Sequence, residues 1–287
     1  MARIAIIGGG SMGEALLAGL LRSGRQVKDL AVAERMPERA RYLSEKYSVR
    51  LASLAEAVET AAFVIVAVKP ADAESVIGEI ADAAAQAESN SVEQVFVSVV
   101  AGVTIGFYES RLPAGSPVVR VMPNAPALVG AGVSALAKGR FATAEHLAEV
   151  SALFECVGGV LTVGESQMDA VTAVSGSGPA YFFLFVEALV DAAVANGLHR
   201  AVATDLAVQT MAGSAAMLLE RIEDERTAGG DPGLDTTPAR LRAVVTSPGG
   251  TTAAGLRELE RGGVRAAVQA AIDSAKTRSE QLGITSE

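Results

Sequence analysis

Apolar positions along this chain follow two rhythms, and the change between them falls near residue 164. Before that point, short β-branched runs (Ile4 to Ile7, Leu30 to Glu34, Phe63 to Val68, Val95 to Val100, Val118 to Met122) alternate with helically spaced stretches such as Leu16, Leu17, Leu20 and Leu21. The alternation predicts an α/β domain over residues 1–164, built on a doubly wound parallel sheet. Gly or Pro closes these runs at Gly8, Pro70, Gly102 and Pro123. Those are the strand ends at which an open α/β sheet receives ligands.

Beyond Gly164 the β rhythm stops, and helices are expected over Gln167 to Ser175, Pro179 to Asn196, Arg200 to Ile222, Thr251 to Arg261 and Val264 to Leu282. Residues 165–287 therefore read as an all-α domain. Its helix from Tyr181 to Val194 is apolar around nearly its whole circumference, with Phe182, Phe183, Leu184, Phe185, Val186, Leu189 and Val190. Such a helix must be buried on several sides, and a small helical domain cannot surround it alone, so an obligate homodimer is expected. Thr227 to Pro238, rich in Gly, Asp, Thr and Pro, reads as a mobile surface loop.

Composition narrows the chemistry. The net charge is −9, only five residues are Lys, and no basic stripe exists to neutralise nucleic-acid phosphates. One cysteine, Cys156, excludes an internal disulfide, and two distant histidines, His146 and His199, give no metal site. Cys156 reads as a small core residue, and His199 as a cation at a helix end. The amino-terminal apolar run is too short for a signal peptide. Glu187 and Asp191 interrupt the stretch Ala180 to Val194, which falls short of the ~20 residues of a membrane span. A cytoplasmic protein bound to neither membrane nor nucleic acid is expected.

The most specific motif stands at the start, where the strand Ile4 to Ile7 breaks into Gly8, Gly10 and Gly13, with Ser11 and Met12 between the last two. In a dinucleotide site the first glycine permits a tight turn, the second lets the pyrophosphate approach bare backbone, and the third lets helix pack on strand. A glycine turn without a ligand would account for Gly8 and Gly13 but not for Gly10. This makes the sheet Rossmann-type. Glu34 stands 21 residues after Gly13, where an acid binds the ribose hydroxyls of NAD, yet Arg35 and Arg39 follow and can clamp the 2′-phosphate of NADP.

Other segments carry further candidates. Ala67-Val68-Lys69-Pro70 opens a Pro-started turn at a strand end, where backbone amides are better candidates for the cofactor than the Lys69 charge. In Arg120-Val121-Met122-Pro123-Asn124-Ala125-Pro126, Asn124 either orients a bound amide or holds its own turn, and Met122 packs in the core or on nicotinamide. Ser175-Gly176-Ser177-Gly178-Pro179-Ala180 and Ser247-Pro248-Gly249-Gly250-Thr251-Thr252 each read as a small-residue turn opening a helix, with free N–H groups for a carboxylate.

Taken together, Gly8 to Gly13 with Met12, Ala67 to Pro70, Arg120 to Pro126, Ser175 to Tyr181 and Ser247 to Thr252 resemble the pyrroline-5-carboxylate reductases over the whole length. The resemblance implies NAD(P)H-dependent reduction of 1-pyrroline-5-carboxylate to L-proline, with NADP(H) favoured and NAD(H) possible. It implies that Ser247, Gly249, Gly250, Thr251 and Thr252 hold the substrate carboxylate and ring, that the Thr252 hydroxyl contacts the ring nitrogen, and that Ser175 lines the nicotinamide side. It also implies interlocked dimers with shared sites, assembling into a larger ring such as a decamer. Where members of the family often carry Leu-Lys-Asp, this chain has Leu241-Arg242-Ala243.

Two other functions compete. A 3-hydroxyacid dehydrogenase needs a general-acid Lys in the first long helix of its helical domain, and this chain has no Lys between Lys138 and Lys276. A nucleotide sensor binding NADP(H) without turnover would have no use for Ser247 to Thr252.

Overall fold

The computed structural model describes residues 3–86, 93–229 and 236–284. The chain divides into two compact units, residues 1–179 with 272–287, and residues 180–271.

The first unit is built on an eight-stranded sheet. In chain order its strands are β1 (Ile4–Ile7), β2 (Leu30–Ala33), β3 (Arg50–Leu51), β4 (Phe63–Val66), β5 (Val95–Ser98), β6 (Val118–Met122), β7 (Gly132–Lys138) and β8 (Gly158–Thr162). Spatial order is β3-β2-β1-β4-β5-β6-β7-β8. The first six strands are parallel, as the rhythm predicts, and β7 turns antiparallel against β6 before β8 pairs parallel with β7.

The helices of this unit are α1 (Ser11–Arg22), α2 (Pro37–Tyr47), α3 (Leu54–Glu59), α4 (Ala73–Gln86), α5 (Ile105–Glu109), α6 (Ala144–Phe154) and α7 (Met168–Val171). Both sheet faces are covered, so β1 and β4 are buried at every position. Side chains alternate between two cores: Ile4, Ile6 and Ile65 pack with Leu16, Leu17, Leu20 and Phe154, while Ala5, Ile7, Val64 and Val66 pack with Val58, Ile77, Ile80 and Tyr108.

The remaining helices are α8 (Gly178–Ala195), α9 (Arg200–Thr227), α10 (Thr237–Val244), α11 (Thr251–Arg261) and α12 (Val264–Ile284), whose last turns belong to the sheet unit. Two expectations change here. His199 caps the start of α9 rather than closing a helix, so the dipole argument for it does not hold. The apolar run of α8 extends into a helical stretch from Glu165 to Ala195, long and apolar enough by length and composition to cross a membrane, as is α9. Of the loop expected over Thr227 to Pro238, residues 230–235 lie outside the described residues and Thr237 already begins α10.

Within this chain α8 is not surrounded. Phe182, Phe183 and Leu184 are 61–66% exposed, and Phe185 and Leu189 are also open.

Candidate active site

The sheet reverses its order between β1 and β4, and the loops leaving these two strands meet there. Gly8 has φ +102, and a Cβ on it would lie 2.6 Å from the Ala67 carbonyl oxygen and 3.1 Å from Val68 Cγ1. Ala67 and Val68 therefore form one wall of the glycine loop. A Cβ on Gly13 would fall 2.0 Å from the Gly8 carbonyl oxygen, which is the close helix-to-strand approach expected of the third glycine.

Gly10 is different. Its backbone is extended, with φ −63, and a Cβ would meet nothing within 4 Å. The protein itself does not require glycine here; the open space is what a pyrophosphate lying on the backbone needs. Gly10 caps α1 without a side-chain hydrogen bond, leaving the N–H groups of Ser11, Met12 and Gly13 at the positive end of the helix. The cradle fits a dinucleotide.

The acid at the end of β2 is already engaged. One Glu34 oxygen accepts the Gly9 N–H at 2.7 Å and the other the Met36 N–H at 2.8 Å. Arg35 reaches outward, its side chain 68% exposed, and pairs with Asp72 at 2.8 Å. Arg39, read from sequence as a possible phosphate clamp, instead donates to the Gly9 and Gly10 carbonyls and pairs with Glu14. No local sequence signal marks that use. Lys69 and Pro70 are exposed at the rim, opening a single 3₁₀ turn.

Farther along the strand ends, buried Arg120 pairs with Glu165 at 3.4 Å, and the same Glu165 oxygen accepts the Ile105 N–H at 2.5 Å. Asn124 holds its own loop, its Oδ1 accepting the Val133 N–H at 2.9 Å, which leaves its amide N–H groups to offer a ligand. Met122 and Gly176 are in close approach, since a Cβ on Gly176 would lie 2.7 Å from Met122 Cε.

Ser175 is not in an open turn. Residues Thr172–Gly176 form a π-helical turn continuous with α7, in which the Ser175 hydroxyl donates to the Val171 carbonyl and the Ser177 N–H to that of Thr172. The expected free helix start there is corrected to a π-bulge, a feature that re-aims side chains and is frequent at functional sites.

In the helical unit, Ser247 to Thr252 does form the expected helix start. Gly249 has φ +71, the Gly250 N–H bonds to the Ser247 carbonyl at 3.0 Å, and Gly250 caps α11 without side-chain help. The N–H groups of Thr251 and Thr252 thus open α11, and both residues are exposed. Cys156 is inert by environment: burial pushes its thiol up to about 11, and Sγ donates to the Leu153 carbonyl.

Comparison with known proteins places these features in context. A family model described as pyrroline-5-carboxylate reductase dimerisation matches residues 165–282, and one described as NADP oxidoreductase, coenzyme F420-dependent, matches residues 3–102. The pyrroline-5-carboxylate reductase of Mycobacterium tuberculosis is 72% identical over 293 residues, covering 100% of this chain and 99% of that protein. Among solved structures, a pyrroline-5-carboxylate reductase from Coxiella burnetii matches with TM-score 0.86 at 32% identity, over 98% of both chains. The Plasmodium falciparum pyrroline carboxylate reductase, solved with NADP bound, matches with TM-score 0.81 at 28% identity, again over 98% of both.

Proposed function

The chain belongs to the pyrroline-5-carboxylate reductase family, and from that premise we propose how its residues divide the work. It is an oxidoreductase of proline biosynthesis that reduces the cyclic imine 1-pyrroline-5-carboxylate to L-proline. The full-length likeness carries this reading. The bound nicotinamide supplies the hydride. A protonated cyclic imine is already electrophilic, so the protein's task is to hold ring and cofactor close and correctly oriented.

By function, residues 1–164 serve as the dinucleotide-binding domain and residues 165–287 as the substrate-binding and dimerisation domain, a division supported by the dimerisation match that begins at residue 165, while the compact units divide at residue 179 and return residues 272–287 to the sheet unit. Gly8, Gly10, Ser11, Met12 and Gly13 receive the pyrophosphate, with Ala67, Val68, Lys69 and Pro70 as the opposite wall. Asn124 and Ser175 serve the nicotinamide side. The N–H groups at the start of α11, with Ser247, Gly249, Gly250 and Thr251, hold the substrate carboxylate, and the Thr252 hydroxyl hydrogen-bonds the ring nitrogen.

NADP(H) is the favoured cofactor and NAD(H) is accepted. Supporting this, both Glu34 oxygens are taken by backbone N–H groups, whereas the exposed Arg35 has only a surface partner to exchange for a 2′-phosphate. The exposed face of α8 is the seat of a homodimer, and dimers build a larger ring such as a decamer, in the cytoplasm. The dimerisation match covers α8 and α9, which supports reading their length and apolarity as interface rather than membrane span.

The test is loss of nicotinamide absorbance when the protein is mixed with pyrroline-5-carboxylate and NADPH or NADH. Rapid oxidation, faster with NADPH, is expected. Thr252→Ala should lower kcat about 10- to 100-fold, the scale of one transition-state hydrogen bond, with NADPH binding intact. Cofactor binding without turnover in the unmodified protein would overturn the substrate assignment, and unchanged turnover in the variant would remove Thr252 from the reaction.

A further inference from the structure

The glycine loop is braced by a side chain from outside it. Arg39, on α2, donates through Nε to the Gly9 carbonyl at 2.6 Å and through Nη2 to the Gly10 carbonyl at 3.4 Å. A trans peptide sets its C=O and N–H antiparallel. The Gly10 carbonyl also accepts the Glu14 N–H at 2.8 Å, so the guanidinium, by fixing the Gly9 carbonyl and adding to the hold on that of Gly10, also fixes the N–H groups of Gly10 and Ser11, which point the opposite way. The loop is open at Gly10, where an added Cβ would meet nothing.

Arg39 is itself held. Its Nη2 pairs with Glu14 of α1, and the same carboxylate accepts from Lys46 Nζ at 3.0 Å, the Tyr42 hydroxyl at 3.1 Å and the Tyr47 hydroxyl at 2.8 Å. Burial raises the Glu14 pKa, but the hydrogen bonds from Lys46, Arg39, Tyr47 and Tyr42 outweigh it and bring the value down to about 2. The carboxylate stays ionised at any working pH. Arg39 also lies over the Tyr42 ring at 4.9 Å. Its charge is matched and its direction is set, which suits a two-pronged brace and not a free cation awaiting phosphate.

We propose that Arg39 is a positioning residue, a brace on the Gly9 and Gly10 carbonyls that presets the Gly10 and Ser11 N–H groups for the pyrophosphate of either cofactor. The inference rests on reading Gly8 to Gly13 as the pyrophosphate site. It separates two neighbouring arginines by role: Arg35 distinguishes the cofactors and Arg39 serves both alike.

The test compares the unmodified protein with Arg39→Met, Arg39→Lys and Glu14→Gln, all full length. Fluorescence titration gives the Kd for NADPH and NADH, and steady-state assays give kcat and each KM. Arg39→Met should weaken NADPH and NADH by the same factor, about 10- to 100-fold for a lost charged hydrogen bond. Its kcat at saturating cofactor and its KM for pyrroline-5-carboxylate should not change. Arg39→Lys keeps the charge but cannot span two carbonyls, and should recover part of the loss. Glu14→Gln should weaken both cofactors equally and less. Unaltered affinity in Arg39→Met, or a loss confined to NADPH, would overturn the proposal. So would parallel falls in kcat and substrate affinity, which mark general disruption. If Arg39→Met does not fold, the same criteria apply to Arg39→Lys and Glu14→Gln. Failure of the unmodified protein to bind either dinucleotide would refute the pyrophosphate reading itself, a result distinct from any variant's.

Discussion

Among the described residues between 180 and 271 the only buried hydrophobic side chains are Val190 and Ala203, while β1 and β4 of the sheet unit are buried at every position. Both regions are rich in apolar residues, yet only one has covered them with its own chain. Leaving a large apolar side chain in water forgoes roughly 1.5–3 kcal/mol, so Phe182, Phe183, Leu184, Phe185 and Leu189 together are a face that requires a cover. A doubly wound sheet brings its covering helices with it. A helix such as α8, apolar on nearly every side, specifies burial without specifying what by.

The largest effect should come from breaking that external cover. Phe183→Asp places an unpaired charge in the proposed interface, at a cost of several kcal/mol. Light scattering should show the assembly falling to single chains, with loss of turnover, while the sheet unit still binds NADPH. An unchanged molar mass in this variant would mean that α8 is covered some other way.

The same division decides what could be read in advance. β1, β4, β5 and β6 are dense apolar runs, and their existence follows from local pattern. β3 is two exposed residues, and β7 and β8, with sequences GVSALAK and GGVLT, have too few β-branched residues to announce themselves. They are strands because β2, β6 and β7 offer edges to β3, β7 and β8 respectively, which is a tertiary cause. In the site, Gly8 and Gly13 were legible because each has its own steric reason. The commitments of Glu34 and Arg39 were not, since the pairing of β2 with β1 brings Glu34, and α2 brings Arg39, onto a loop far away in sequence. Nor was the π-bulge at Ser175, where small residues read as an ordinary turn.

Within the glycine loop, internal and external demands can be set against each other one atom at a time. Gly13→Ala drives a Cβ to 2.0 Å from the Gly8 carbonyl oxygen, a clash with backbone that cannot rotate away. It should lower stability by about 1–3 kcal/mol, read as a reduced midpoint in denaturant unfolding. Gly10→Ala meets only open space and should leave stability within about 0.5 kcal/mol, while raising the KM for NADPH and NADH severalfold. Equal destabilisation by the two substitutions would remove the evidence that Gly10 answers to a ligand.

The smallest effect belongs to Arg35, whose single described partner is Asp72 on an exposed surface. Such a pair contributes about 0–1 kcal/mol, so Arg35→Ala should leave unfolding unchanged and KM for NADH nearly so. For NADPH the exposed guanidinium would exchange Asp72 for a doubly charged phosphate. Losing it should raise that KM about 3- to 10-fold, the lower end of a charged hydrogen bond's worth when solvent screens it. The added effect should shrink in high salt, as a screened contact must, whereas the loss caused by Arg39→Met, made at short range inside the loop, should persist. If Arg35→Ala instead raises both KM values together, Arg35 acts on the common part of the cofactor. The discrimination between NADPH and NADH would then have to lie in how readily Glu34 gives up the N–H groups of Gly9 and Met36.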